Sequence, residues 1–339
     1  MVASLVVFLL LGVFLLSGCL GSDPSIGDPG IADPRVGNPG ISDSGISGPE
    51  IKAAHLSMRG KTVATTIRFL NLAHANGMTH VILQLSDGVR LQALQGVARD
   101  DALHQFEIAE IVSHADSLGV RIIPELKLLA KQDKFLKDTR LDLMYDALTY
   151  NPLSSVYEEV VFPVLDEVIA LFDPAIIHIG HDELFFAQYP DHARNSDLPA
   201  DLFRLDVETL TAYLEARNVE VMMWGDMLLG AWEFAGVETR HMHADGPYAA
   251  LRRQLPPSII IADWHYKHTE TKFPSARAFM LDGYRVLGAT WDSPKNIVNF
   301  ANYIHDVGGH GHIAGVYGYP GRGDWEGTES ILKVSGEAF

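Results

Sequence analysis

From Ile51 onward, short β-branched and apolar runs alternate with stretches whose apolar residues recur every three or four positions. The runs predict strands over 51–58, 79–86, 120–127, 174–180, 219–225, 258–264, 285–291 and 312–318. Between them the periodicity predicts helices near 62–76, 104–118, 155–172, 200–217, 246–254, 274–283, 294–307 and 328–339. Pro152, Pro274 and Pro294 fall near first turns, where the missing N–H costs no intrahelical bond. The runs are almost continuously apolar, as in parallel strands covered on both faces. Eight strand–helix units in about 290 residues predict an α/β fold of the (β/α)8 TIM-barrel type. A doubly wound open sheet is the alternative, but no Gly-rich phosphate loop follows the first strand to favour it.

The first fifty residues read differently. Val2 to Leu16 is almost wholly apolar and runs into Leu16-Ser17-Gly18-Cys19. That tetrapeptide is similar to a bacterial lipobox, in which the cysteine is lipidated and becomes the mature N-terminus. The apolar run is short for a bilayer span, which needs about 20 residues. Residues 1–19 are therefore expected to be a lipoprotein signal peptide with Cys19 as the lipidation site. An ordinary signal peptide and an uncleaved anchor are the alternatives, and all three export the remainder. Leu20 after the cysteine points to the outer membrane or cell surface of a bacterial envelope. From Ser22 the chain falls into Pro/Gly-rich pentapeptides (SDPSI, GDPGI, ADPRV, GNPGI, SDSGI, SGPEI). Proline lacks a donor and glycine resists helix, so residues 20–50 are expected to be an extended tether to a barrel over 51–339. A pentapeptide β-solenoid is the rival, and six such units bury too little to stand alone.

Composition narrows the function. A net charge of −17 at pH 7 argues against a nucleic-acid partner, because a phosphate backbone requires a basic face. Cys19 is the only cysteine, which excludes a disulfide framework and a thiolate metal site.

In such barrels the chemistry sits at the C-terminal ends of the strands. All five tryptophans are expected there: Trp224, Trp264 and Trp291 end strands five, six and seven, and Trp232 and Trp325 follow strands five and eight. Indole faces match the C–H faces of sugar rings. Acids gather at the same ends: Asp87, Asp182 with Glu183, Asp226 and Asp292. Adjacent carboxylates repel, which is expected to raise one pKa and keep that group protonated beside an ionised neighbour.

His178-Ile179-Gly180-His181-Asp182-Glu183 resembles the H-x-G-x-D-E signature of glycoside hydrolase family 20. Trp224-Gly225-Asp226-Met227 resembles that family's W-x-D-M. Trp264-His265-Tyr266 resembles the W-x-Y of its single-domain, hexosaminidase D-like branch, and Asn151-Pro152 and Pro124-Glu125 also fit. The resemblance implies a β-N-acetylhexosaminidase that takes terminal GlcNAc or GalNAc from a glycan with retention and without a cofactor or metal. In that chemistry the sugar's own acetamido oxygen attacks the anomeric carbon, giving an oxazolinium ion. It implies Asp182 on the acetamido N–H and Glu183 as general acid, then base. It further implies Tyr266 on the acetamido oxygen, and Arg59, Asp87, His178, Asp226 and Asp292 as substrate-binding residues beside a wall of Trp224, Trp264 and Trp291. The chain departs from the pattern at His181, where a small residue is usual, and at Ala130-Lys131, where Gly-His is common.

Two other readings compete. His241-Met242-His243, joined by His178, His181 and Asp182, would make a metal-dependent hydrolase. A tryptophan wall would also serve a non-catalytic sugar-binding lipoprotein.

Overall fold

The computed structural model describes residues 50–136, 139–234, 236–317 and 325–339. The apolar leader, Cys19 and the pentapeptides up to residue 49 lie outside the described residues. Among the described residues, no helix is long and apolar enough to cross a membrane.

Eight strands form a closed, all-parallel barrel in sequence order. They are β1 (Ile51–Ser57), β2 (His80–Gln84), β3 (Arg121–Leu128), β4 (Ile176–Gly180), β5 (Glu220–Trp224), β6 (Ile260–Trp264), β7 (Arg285–Ala289) and β8 (Gly311–Tyr317). The barrel closes where β8 pairs with β1. Eight helices alternate with the strands: α1 (Val63–Ala75), α2 (Gln105–Leu118), α3 (Phe162–Phe172), α4 (Ala200–Glu215), α5 (Gly246–Leu251), α6 (Pro274–Leu281), α7 (Pro294–Val307) and α8 (Trp325–Ala338). The expected TIM barrel is what forms, with strand ends shifted by a residue or two.

Local chemistry explains the boundaries. Thr62 accepts from the Thr65 N–H at the start of α1, and Ser293 does the same for Asn296 in α7. Pro274 and Pro294 open α6 and α7. The helix expected over 155–172 is divided: Tyr157–Val161 is a π turn, and the α-helix runs from Phe162. Pro163 offers no N–H to the carbonyl four residues back and its ring crowds that carbonyl, which widens the preceding turn.

Two apolar layers hold the barrel. Ile51, Ile82, Ile123, Met222, Ile260 and Leu287, all from strands, belong to the packing inside it. A larger layer joins the outer strand faces to the helices, with Phe69, Phe203, Phe279 and Phe300 fully buried. Toward the mouth the interior turns polar. His55, Glu125 and His178 are each completely buried there, directly beneath Trp224 and the site it floors.

Candidate active site

Glu125 and Lys127 lie two residues apart on β3, so strand alternation puts both on one face. Glu125 is saturated with partners. It meets His55 Nε2 at 2.5 Å, Gln84 Nε2 at 3.0 Å, Lys127 Nζ at 3.0 Å and the Trp224 indole N–H at 3.3 Å. Burial opposes its charge, but Lys127 and His55 outweigh that and hold the carboxyl well below the ordinary range. His178, beneath Trp224 with ring centroids 4.7 Å apart, is pushed down to about 4 by burial and is neutral. Its Nδ1 accepts from the Gly180 N–H.

The turn after β4 carries the acid pair. Gly180, His181 and Glu183 all have left-handed backbone, with φ of 81°, 68° and 52°. Only glycine suits the first of these, since a Cβ there would lie 2.8 Å from the Leu126 carbonyl oxygen. For His181 and Glu183 the conformation is strained, and specific bonds hold it. His181 turns away from the acids, toward α4, where its Nε2 bonds Asp206 at 2.7 Å and Asp206 accepts from the Tyr157 hydroxyl. The Glu183 N–H donates to Asp226 Oδ2 at 2.8 Å. The bulky residue at 181 therefore anchors the turn rather than crowding the carboxylates.

Asp182 sits between two ammonium groups. Lys127 Nζ is 3.3 Å from one of its oxygens, and Lys131 bonds the other. Lys131, itself in left-handed backbone, also reaches Glu183 Oε2 at 2.8 Å. Burial works against the Asp182 charge, yet Lys127 and Lys131 hold its pKa far below the ordinary carboxylate range. This corrects the expectation for Asp182: the two lysines, rather than repulsion from its neighbour, govern its charge and hold it ionised. Asp182 is the more enclosed, with its side chain 13% exposed against 29% for Glu183.

Both acids line a mouth cavity of about 610 Å³ with Gln84, Lys127, Lys131, Arg194, Trp224, Trp264, Tyr266 and Trp291. Trp264 stacks on Tyr266 at 4.8 Å, and Tyr266 meets Trp291 edge-on at 5.8 Å. Burial, then the charges of Asp182 and Glu183, push the Tyr266 phenol well up, so it remains a donor.

The remaining expected site residues fall elsewhere. Asp226 is fully buried. Besides Glu183 N–H, it accepts from the Trp264 indole at 3.2 Å and bonds His243 Nδ1 at 3.0 Å. It positions the site instead of facing the cavity, as does His178. Arg59 and Asp87 pair with each other at 3.4 Å, and Asp292 pairs with Lys267 at 3.4 Å; none of these lines the cavity. Two of the five tryptophans expected at the strand ends do not line the cavity. Trp232 is 60% exposed, and Trp325 opens α8 beneath the Arg68 guanidinium. The metal set drawn from the sequence does not assemble: among the described residues, the cluster whose ligand atoms come within 4.8 Å of one another joins His241 to Asp263 and His265, without His178, His181, Asp182 or His243. Lys127, Glu125 and Asp206 carry roles that the sequence reading did not assign.

A barrel whose mouth joins paired carboxylates to an indole-walled cleft defines a glycoside hydrolase catalytic domain. The sequence profile of glycosyl hydrolase family 20, catalytic domain, matches residues 85–290, more than half of the chain, and the chain belongs to that family. Among solved structures it is similar to the β-N-acetylhexosaminidase from Bacteroides fragilis NCTC 9343, with 16% identity and a TM-score of 0.59 over 86% of this chain and 66% of that one. It resembles Dispersin B with 15% identity and a TM-score of 0.55, over 85% of this chain and 99% of that one. An inactive variant of the exo β-N-acetylglucosaminidase from Vibrio harveyi aligns at 14% identity and a TM-score of 0.60, over 86% of this chain and 54% of that one. The chain thus spans just under two thirds of the Bacteroides protein and about half of the Vibrio protein. A search of curated proteins by sequence returned no match.

Proposed function

We propose that the chain is a retaining exo-β-N-acetylhexosaminidase that removes terminal GlcNAc or GalNAc by substrate-assisted catalysis. The observation that carries this reading is the unequal treatment of two adjacent acids: Asp182 is locked as a carboxylate by two lysines, while Glu183 opens to the cavity. A carboxylate has about four lone-pair sites, so Asp182 can keep both lysines and still accept the acetamido N–H. There its charge offsets the positive charge of an oxazolinium ion. The Tyr266 hydroxyl donates to the acetamido oxygen and aims it at the anomeric carbon. Glu183 protonates the leaving oxygen, then takes a proton from water. For that step the glycosidic oxygen replaces Lys131 at Glu183 Oε2. Trp224, Trp264 and Trp291 bound the ring on its apolar faces.

The similar proteins named above as hexosaminidases support the substrate class, and the W-x-Y motif supports the hexosaminidase D-like branch. Turnover of a chromogenic β-N-acetylglucosaminide separates this reading from a non-catalytic sugar-binding protein. The leader motif supports export and attachment to a bacterial envelope membrane through lipid on Cys19, with residues 20–50 as the spacer.

A further inference from the structure

Strand alternation turns Asp263 and His265 away from the Trp264 ring that lies between them. They enter the layer between barrel and helices, where Phe273 and Phe300 meet the His265 ring edge-on, each with centroids 5.1 Å away. His241, from the loop after β5, comes down on the same spot with its ring 3.7 Å from that of His265. All three side chains are buried, each residue 1% exposed. One donor atom of each lies within 4.8 Å of the others.

The hydrogen-bond inventory of this cluster does not close. Ser275 Oγ donates to Asp263 Oδ2 at 2.8 Å and meets His265 Nε2 at 2.7 Å. With its one proton committed to Asp263, Ser275 accepts from His265, which places the His265 proton on Nε2 and leaves a lone pair on Nδ1. Neither His265 Nδ1 nor Asp263 Oδ1 has a hydrogen-bond partner, and neither nitrogen of His241 has one. A neutral His241 supplies a single N–H against three buried acceptor sites. Lone pairs outnumber protons, and burying them unmatched is costly. A cation corrects that imbalance directly.

We propose that His241, Asp263 and His265 form a zinc site that ties the loop after β5 to the end of β6. Two imidazoles and a carboxylate are a zinc donor set, whereas calcium and magnesium take oxygen throughout. Tetrahedral zinc with bonds of about 2.0–2.2 Å spaces its donors roughly 3.3–3.6 Å apart, a little less than the 4.8 Å within which these donors already lie. Two of the three ligands already have a supporting partner, since Ser275 orients both His265 and Asp263. The ion would lie behind Trp264, outside the sugar cavity, and take no part in bond cleavage. It would hold the loop whose His243 bonds Asp226, and with it the Trp264 wall. This site is separate from the metal set considered from the sequence, sharing only His241, and it does not depend on the hexosaminidase reading.

The test uses the full chain, stripped with chelator and dialysed. Zinc titration followed by elemental analysis is expected to give one ion per chain and a higher Tm on reloading. Cobalt added in place of zinc is expected to give the visible absorption of a tetrahedral site. His241→Gln and Asp263→Asn should weaken zinc binding by about 100-fold or more, at least as much as losing an outer-shell partner. The cobalt spectrum of the unaltered protein decides the matter even if a variant fails to fold. No stoichiometric zinc and no tetrahedral cobalt spectrum would overturn the assignment and leave the cluster as a cage for buried water. Zinc retained at full affinity in both folded variants would also overturn it, placing the ion on surface histidines.

Discussion

Lys131 Nζ lies 2.8 Å from Glu183 Oε2 while it also bonds the carboxylate of Asp182, so one ammonium bridges both members of the acid pair. Its left-handed backbone at φ 58° delivers the residue into the cavity.

Lys131→Met should therefore change the pH dependence as well as the rate. Asp182 works as a carboxylate, and its folded pKa is depressed, so its charge persists as pH falls below the ordinary value of about 3.9. The stability it confers is whole above that ordinary value, declines as pH falls below it, and is gone once pH has fallen through the depressed folded pKa, where the charge itself is lost. Removing one of two cations raises that pKa, so the acid limb of kcat/KM should move up toward the ordinary range. Coincident acid limbs for the two proteins would remove Lys131 from this role.

His181 should prove structural. His181→Ala strands a buried Asp206 oxygen without its partner, at a cost of about 1–3 kcal/mol, or more if the pair is charged. The loss should appear as a lower Tm together with lower kcat, because the same turn carries Asp182 and Glu183. Tyr157→Phe, which removes the other partner of Asp206, should lower Tm as well. An unchanged Tm in His181→Ala would mean that the turn holds itself.

The architecture was readable because buried parallel strands are written as apolar runs, and all eight fell where expected. The acid pair was readable because Asp182 and Glu183 directly follow such a run. Loops were less legible, since no periodicity fixes where their side chains go. Trp232 and Trp325, which follow strands five and eight in the sequence, stay out of the cavity, and Asp87 turns to Arg59. Lys127 was open to discovery: a Glu-x-Lys within an apolar barrel strand puts two charges on one buried face, which is tolerable only if they serve a site. The zinc cluster was harder, because His241 meets Asp263 and His265 only through the closure of a loop.

Trp264→Ala should lower kcat/KM by roughly 10-fold or more, because the ring walls the cavity and its N–H steadies Asp226. The stability loss should stay below the about 3–5 kcal/mol of a core aromatic truncation, since this side chain sits at the mouth. Unchanged kinetics with a large fall in Tm would return Trp264 to the packing.

Cys19→Ala should release the protein from the membrane fraction of a bacterial host, in soluble or unprocessed form. The unaltered chain should incorporate a palmitate analogue, and failure to label would refute lipidation.

Glu183→Gln keeps the size of the proton donor and removes its function. The variant should lose about 10²–10⁴-fold on N-acetylglucosaminides with poor leaving groups, and much less on nitrophenyl glycosides, which need little protonation. Asp182→Asn should slow both kinds, because stabilising the oxazolinium ion is required whatever departs. Equal losses on both substrate kinds in Glu183→Gln would deny Glu183 the acid role.

The most direct measurement compares nitrophenyl β-N-acetylglucosaminide with nitrophenyl β-glucoside on the unaltered protein. The leaving group is the same, and only the acetamido group differs. The substrate-assisted account predicts rapid release of nitrophenol from the first and no appreciable release from the second. Equal rates on the two would contradict it.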